Sequence, residues 1–271
     1  MEILNFTQEY CDQYKFVARQ FQSFIGEDKG FADITKEVLL QYVKYLRNKY
    51  PTNTVTTKMS QLKAILNKAT GMYDIPYKEY STVLKGKRQE NTAIYLRPTE
   101  LNKIQRAKVI SDTERYAKAL FLIQAWTGAR YSDAKDFDSQ NIQGEQLDYV
   151  TQKTGTRVSV PLKPIVREMI EEKEKLAPIS ITSYEGIIKA IAYKARLRDQ
   201  VKVFKKGKYL KGYKYEFVTG HTARRSFATN LMMSGVDVFT ISKLMGHSSP
   251  IMTQKYICEV MENDKLKKIL S

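Results

Sequence analysis

Arg130, Lys153, His221, Arg224, His247 and Tyr256 are the side chains whose types and spacing offer chemistry in this 271-residue chain. Its two histidines both lie in the stretch VTGHTARRSFATNLMMSGVDVFTISKLMGHSSPIMTQKY, from Val218 to Tyr256. His221 precedes Arg224 by one helical turn, so the two share a helix face and can donate to one anion. Two arginines and two histidines around an anion supply charge and fork-shaped donors that match non-bridging phosphate oxygens. They also stabilise the added charge of a pentacovalent transition state. A tyrosine among such cations has its phenolate favoured and suits the role of nucleophile. A lysine ammonium suits protonation of a leaving alkoxide. Phosphoryl transfer therefore needs nothing further. The chain has neither the clustered carboxylates of a two-metal nuclease nor a Gly-rich loop before a Lys-Ser/Thr pair, so no metal and no nucleotide or other cofactor is expected. Singly, each residue is a weak signal: a lone His or Tyr is more often structural, and a lysine in a turn is more often simply solvated.

Composition narrows the partner. Lys and Arg number 45 against 29 Asp and Glu, a net charge of +16 with a sequence pI near 9.6, the electrostatic footprint of a polyanion-binding protein. DNA or RNA leads. An acidic membrane surface would also attract this charge, but no apolar run approaches the roughly 18 residues of a spanning helix. The opening MEILNFTQEYCDQ carries acids where a secretory signal would be basic, so a cytoplasmic, nucleoid-associated protein is expected. Cys11 and Cys258 have neither metal-ligand nor disulfide-framework spacing and read as reduced thiols.

The elements that must position the reactive set follow from periodicity. Tyr10, Tyr14, Val17, Phe21 and Phe24 recur at steps of three and four and predict a first helix from Thr7. Thr35 is placed to cap a second, with Val38, Leu39, Tyr42, Val43 and Leu46 inward and an end before Pro51. A third runs from about Asn53 to Ala69 and stops at Gly71; a short fourth covers Tyr77 to Leu84. Residues 1–84 thus form a small helical domain. Lys29, Lys36, Lys44, Lys58, Lys63 and Lys68 decorate it, either as phosphate contacts or as an ordinary solvated face. The polar stretch 85–91, with Lys85, Lys87 and Arg88, reads as an interdomain linker that could also lie along a nucleic-acid backbone.

In residues 92–271, a helix opens at Pro98 with Leu101 and Ile104 inward. An apolar helix through Tyr116, Leu120, Ile123 and Trp126 ends at Thr127-Gly128, which leaves Arg130 just past a buried helix end, where a fixed anion contact is easily built. Alternation over 147–152 and 157–162 around a turn at 153–156 predicts a hairpin with Lys153 at its tip. Helices are expected over 164–175 and 183–197. The basic, aromatic segment 201–217, with Lys205, Lys206 and Lys208 and alternating character around Gly207 and Gly212, reads either as a hairpin whose lysines lean on a nucleic-acid backbone or as a solvated ribbon. A helix over 222–233 follows, then one capped by Asp237 and broken at Gly246-His247, a short helical piece carrying Tyr256, and an amphipathic tail. The fold class is mainly α with a small β-hairpin or sheet.

The ordered set Thr127-Gly128-Ala129-Arg130-Tyr131-Ser132-Asp133, Lys153 in its hairpin, His221-x-x-Arg224, Leu244-Met245-Gly246-His247 and Thr253-x-x-Tyr256 resembles the tyrosine recombinase (phage integrase) family over nearly the whole chain. The resemblance implies a helical core-binding domain that clamps duplex DNA, followed by an α+β tyrosine-recombinase catalytic domain. It implies a site-specific recombinase that cuts and rejoins DNA through a 3′-phosphotyrosyl link, without metal or ATP. Tyr256 would be the nucleophile, Arg130 and Arg224 the phosphate grip, Lys153 the acid on the leaving 5′-oxygen, and His221 and His247 the proton-handling walls, with Asp133 orienting the pocket. The family often has Leu-Gly-His where this chain has Met245-Gly246-His247, a volume-conserving change expected to be neutral. So few residues precede the first helix that no arm-binding domain is expected. Short inverted core sites on double-stranded DNA then fit as substrate, with a homotetramer on two sites and a monomer or weak oligomer without DNA. The tail over 259–271 would dock on a neighbouring subunit or on its own domain. The alternatives are relaxation of supercoils in the manner of a type IB topoisomerase, or a non-catalytic DNA-binding module of the same fold.

Overall fold

The computed structural model describes residues 8–89, 91–254, 256 and 257, with side chains from residue 12 onward. The expected contributions of Tyr10, Cys11, Cys258 and the tail over 259–271 lie outside the described side chains. The chain divides into one compact unit through Asn91, to which Phe204–Tyr209 is assigned, and a second formed by Thr92–Val203 and the chain from Leu210 onward.

In the first unit, helices α1 (Gln8–Ile25), α2 (Lys36–Lys49), α3 (Thr52–Ala69) and the single turn α4 (Tyr80–Val83) pack around one core. The apolar stripes found by periodicity meet there: Val17 and Phe21 from α1, Leu39, Tyr42 and Leu46 from α2, and Val55, Met59, Leu62 and Leu66 from α3 are all buried. Thr35 caps α2 by accepting from the Val38 amide at 3.3 Å. The fourth helix is shorter than the span from Tyr77 to Leu84. The expected linker is held to α3 along residues 86–89: the Asn53 amide accepts from Gln89 N at 2.8 Å and donates to Gln89 O at 2.9 Å, and Gly86 lies flush against Thr56.

The second unit is built on α6 (Asp112–Thr127), which is preceded by α5 (Pro98–Arg106). Helix α6 buries Tyr116, Ala117, Leu120, Phe121, Leu122 and Ile123, residues that span its circumference, as a central helix must. Packed on it are α5, the short α7 (Tyr131–Ala134), α8 (Pro164–Glu174), α9 (Ile181–Lys194) and α10 (Gly220–Met233). Strands β1 (Ile142–Gln143), β2 (Gln146–Val150) and β3 (Arg157–Pro161) form an antiparallel sheet in that order, with Tyr149 opposite Val158. Leu147, Tyr149, Val158 and Val160 turn inward, as alternation predicts. Strands β4 (Gln200–Lys205) and β5 (Lys208–Tyr213) make the second hairpin. Its tip, Lys206-Gly207, has φ of 56° and 82°, the paired left-handed geometry that suits a two-residue hairpin turn. Helices α11 (Val238–Leu244) and α12 (Pro250–Gln254) complete the unit. Among the described residues no helix is long and apolar enough to cross a membrane.

Candidate active site

Local signals in the chain bring the chemistry-bearing residues of the second unit together. Thr219 caps α10 by accepting from Thr222 N, which starts the helix one residue before His221 and sets Arg224 one turn further on. At the other wall, Gly128 ends α6 in the left-handed region with φ of 71°, and a Cβ there would run into the Phe227 ring. That tight ending aims Gly128 O at Arg224 and sends the chain directly into Arg130, the N-cap residue of α7. Gly246, with φ of 59° and no room for a Cβ against Thr151 and Val158, ends α11 and lays His247 beside the sheet.

Arg224 is the centre. It is 1% exposed, and its guanidinium donates to Gly128 O, to Met245 O at 2.7 Å and to His247 Nε2 at 2.7 Å, while its Nε has no partner. Burial, then the neighbouring Arg130 charge, lowers its pKa to about 10, so it stays charged at neutral pH. Because a guanidinium only donates, His247 Nε2 must accept. The proton therefore sits on Nδ1, which donates to Thr253 Oγ1 at 2.8 Å. Burial first, then Arg224 and Arg130, lower the His247 pKa to about 4, which agrees with this neutral tautomer.

Tyr256 follows α12 in a turn closed by its N–H to Thr253 O at 2.8 Å, rather than lying within a helix. Its ring centroid is 5.1 Å from that of His247 and 6.1 Å from that of His221. The guanidinium carbons of Arg224 and Arg225 lie 5.5 and 5.7 Å from the same ring. His221 is exposed, yet the protein packed on its inner side, and then Arg225, Arg224, Arg130 and Lys153, lower its pKa.

Arg130 places Nη1 3.9 Å from Asp133 Oδ2. Asp133 is buried, and its other oxygen accepts from Gln152 N at 2.9 Å. Arg130 Nη1, Asp133 Oδ2, Arg224 Nε and the Tyr149 hydroxyl are all buried without a hydrogen-bond partner among the described residues. Such groups are costly unless something fills them, and here three of the four are donors. Lys153 stands exposed in the turn between β2 and β3, with no ion pair to another described residue, yet close enough to act on His221.

Sequence reasoning missed three participants. Tyr149 is a buried phenol whose pKa is pushed up to about 12, chiefly by burial, with Arg224, Asp133 and Arg130 in electrostatic range. On an alternating strand it is indistinguishable from an ordinary core residue. Arg225, beside the Tyr256 ring, reads as a surface neighbour of Arg224. Thr253, which fixes the His247 tautomer, was visible only as a motif position. Among the described residues no three His, Cys, Asp or Glu side chains gather as metal ligands.

The residues suggested for DNA backbone contact divide. Lys85, Lys87, Arg88, Lys205, Lys206 and Lys208 are exposed, and Lys63 is half-buried. Lys58 is 7% exposed: its ammonium donates to Gln20 Oε1 at 2.8 Å and lies 4.5 and 4.8 Å from the ring centroids of Phe16 and Tyr50. It is a core-facing cation, which burial holds below the usual lysine pKa.

Known proteins share both sequence and fold with this chain. A family model described as the phage integrase family matches residues 95–262, and one described as the phage integrase SAM-like domain matches residues 2–87. Tyrosine recombinase XerC of Rickettsia canadensis is 29% identical over 143 residues, 51% of this chain and 46% of that protein, so the match spans about half of each. A crystal structure of a lambda integrase(75–356) dimer bound to a COC′ core site superposes with a TM-score of 0.71 at 16% identity, covering 93% of this chain and 89% of that one. A lambda integrase tetramer bound to a Holliday junction gives a TM-score of 0.66 at 15% identity, covering 93% and 72%.

Proposed function

We propose that this chain, which belongs to the phage integrase family, is a site-specific DNA recombinase that cuts and rejoins strands by transesterification at Tyr256. The observation that carries the reading is that two buried guanidinium nitrogens, Arg224 Nε and Arg130 Nη1, have no hydrogen-bond partner among the described residues, and that the Arg224 guanidinium lies 5.5 Å from the Tyr256 ring. They offer a phosphate charged, planar donors.

In this reading the scissile phosphate enters between Arg130 and Arg224. The Tyr256 phenol loses its proton to His221, which is neutral at physiological pH because its pKa is lowered. The phenolate oxygen attacks phosphorus, the bond from phosphorus to the 5′-oxygen breaks, and Lys153 delivers a proton to that oxygen. The products are a 3′-phosphotyrosyl link and a free 5′-hydroxyl. Rejoining runs the same steps backwards with a 5′-hydroxyl from a partner strand. His247 holds the Arg224 fork in place through Nε2, and Thr253 keeps its proton on Nδ1. The bond energy of the phosphodiester is kept in the tyrosyl link, so neither a nucleotide nor a metal is part of the scheme.

The substrate is double-stranded DNA with short inverted core sites, which the helical unit of residues 1–84 also grips. Exchange requires two sites together, for which a homotetramer is the arrangement, as lambda integrase forms on a Holliday junction. The test is a nicked suicide duplex carrying a core site. The wild-type chain accumulates a covalent complex, and Tyr256→Phe binds the same DNA but forms none. A covalent complex at wild-type yield with the Phe variant would refute the assignment.

A further inference from the structure

The turn that carries Lys153 is internally braced. Thr151 Oγ1 lies 2.6 Å from Thr154 Oγ1 and accepts from Thr156 N at 3.0 Å, and Gly155 N donates to Thr151 O at 2.9 Å. A turn knitted in this way moves as a body, so its direction depends on what ties it to its surroundings. Both ties come from the residue before the lysine and reach the segment just after Arg130. Gln152 N donates to Asp133 Oδ1 at 2.9 Å, and Gln152 Nε2 donates to Asp136 Oδ2 at 2.6 Å. The turn continues the paired strands β2 and β3, and these two hydrogen bonds add a direct link from it to the segment after Arg130. Asp133 also faces Arg130 through its other oxygen, so the same short segment governs both the phosphate grip and the lysine.

We propose that Gln152 is a positioning residue: its side-chain amide, held by Asp136, sets the direction in which Lys153 is presented to the leaving 5′-oxygen. This rests on the role given to Lys153 above. The Asp136 carboxylate is the charge-assisted acceptor of the pair; this hydrogen bond lies at the surface, as does the longer contact of Asp136 with Lys135 at 3.8 Å. The backbone tie to Asp133 survives any change of the Gln152 side chain, so Gln152→Ala removes one pin and leaves the other.

The experiment compares cleavage of a core duplex with cleavage of the same duplex carrying sulfur in place of the 5′-bridging oxygen. A thiol has a pKa of about 8.5 and leaves as thiolate without a proton, whereas an alkoxide, with a parent hydroxyl nearer that of water at about 15.7, does not. On the all-oxygen duplex Gln152→Ala is expected to slow single-turnover cleavage by about tenfold with unchanged DNA affinity, the scale of a sub-ångström misplacement. On the sulfur duplex it runs at the wild-type rate, and Gln152→Ala with Asp136→Ala is no slower on oxygen than Gln152→Ala alone. Equal losses on both duplexes, or no loss on oxygen, overturn the proposal. Lys153→Ala is the control that separates the two levels: a loss that sulfur does not rescue removes the lysine from acid catalysis and overturns the earlier assignment itself.

Discussion

Replacing Arg224 by lysine keeps the charge and discards the fork, and its consequences can be worked out contact by contact. The guanidinium serves Gly128 O, Met245 O and His247 Nε2 while leaving Nε open. A lysine ammonium has three donors on a flexible stem and no planar second edge, so it cannot hold those three acceptors and also face a phosphate. If it turns to the phosphate, at least one buried acceptor is abandoned, at about 1–3 kcal/mol. If it serves the protein, the transition state loses a preorganised charged donor, worth about 3–4 kcal/mol or roughly 10²–10³ in rate. The expected result for Arg224→Lys is therefore a folded protein with a modestly lowered Tm and single-turnover cleavage reduced by roughly 10²–10³, with DNA affinity largely retained. Arg224→Ala differs in kind: it orphans all three acceptors in a buried pocket, at about 3–9 kcal/mol in sum, which rivals the whole stability of an ordinary domain. Suicide-duplex cleavage and thermal unfolding on the same preparations decide the matter. An Arg224→Lys protein that cleaves within threefold of wild type would refute the argument that the fork is what the site requires.

Further outcomes follow from other parts of the molecule. His247 is neutral when folded, with its pKa lowered to about 4 from an unfolded value near 6.5, so the unfolded chain binds the extra proton between those values. Its contribution to stability is whole above about pH 6.5 and is lost as pH falls toward 4, by about 3 kcal/mol at most; His247→Gln should flatten this part of a pH–stability curve, and an unchanged curve counts against the assigned tautomer. Gly128→Ala must carry a Cβ at φ of 71° into the Phe227 ring, and a loss of about 2 kcal/mol or more in denaturant unfolding is expected. DNA binding should weaken steeply with salt, and a triple alanine variant at Lys205, Lys206 and Lys208 should reduce the slope of log K against log salt by up to about 3. Lys58→Ala should leave that slope unchanged, because the ammonium is spent on Gln20 and two aromatic rings.

Much of the fold was legible because its signals are local. The apolar stripes of α1, α2 and α3, the caps at Thr35 and Asp237, and the stop at Gly128 each declare an element within a few residues. The candidate constellation could be named from the sequence for a different reason: its residue types would serve one reaction, and they occur in one order. What stayed hidden depends on contacts between distant segments. Tyr149 looks like any inward strand residue until Arg224, from α10, is packed nearby. Gln152 gives no sign of its partners until α7 and the hairpin turn meet. Lys58 lies three residues after Val55 and four before Leu62, so helical spacing alone puts it on the buried face of α3, apart from the lysines spread around the helices. Residues 85–89 carry linker composition, yet Gln89 is fastened by the Asn53 amide of α3.

Tyr256 is one of 18 tyrosines, and the account depends on its being the nucleophile. The direct measurement is mass spectrometric mapping of the peptide that carries the nucleotide adduct after a suicide duplex has been trapped and digested. The account predicts a single modified residue, Tyr256, joined to a 3′-phosphate with a free 5′-hydroxyl on the released strand. An adduct on another residue, a 5′-phosphate linkage, or cleavage with no adduct at all would contradict it.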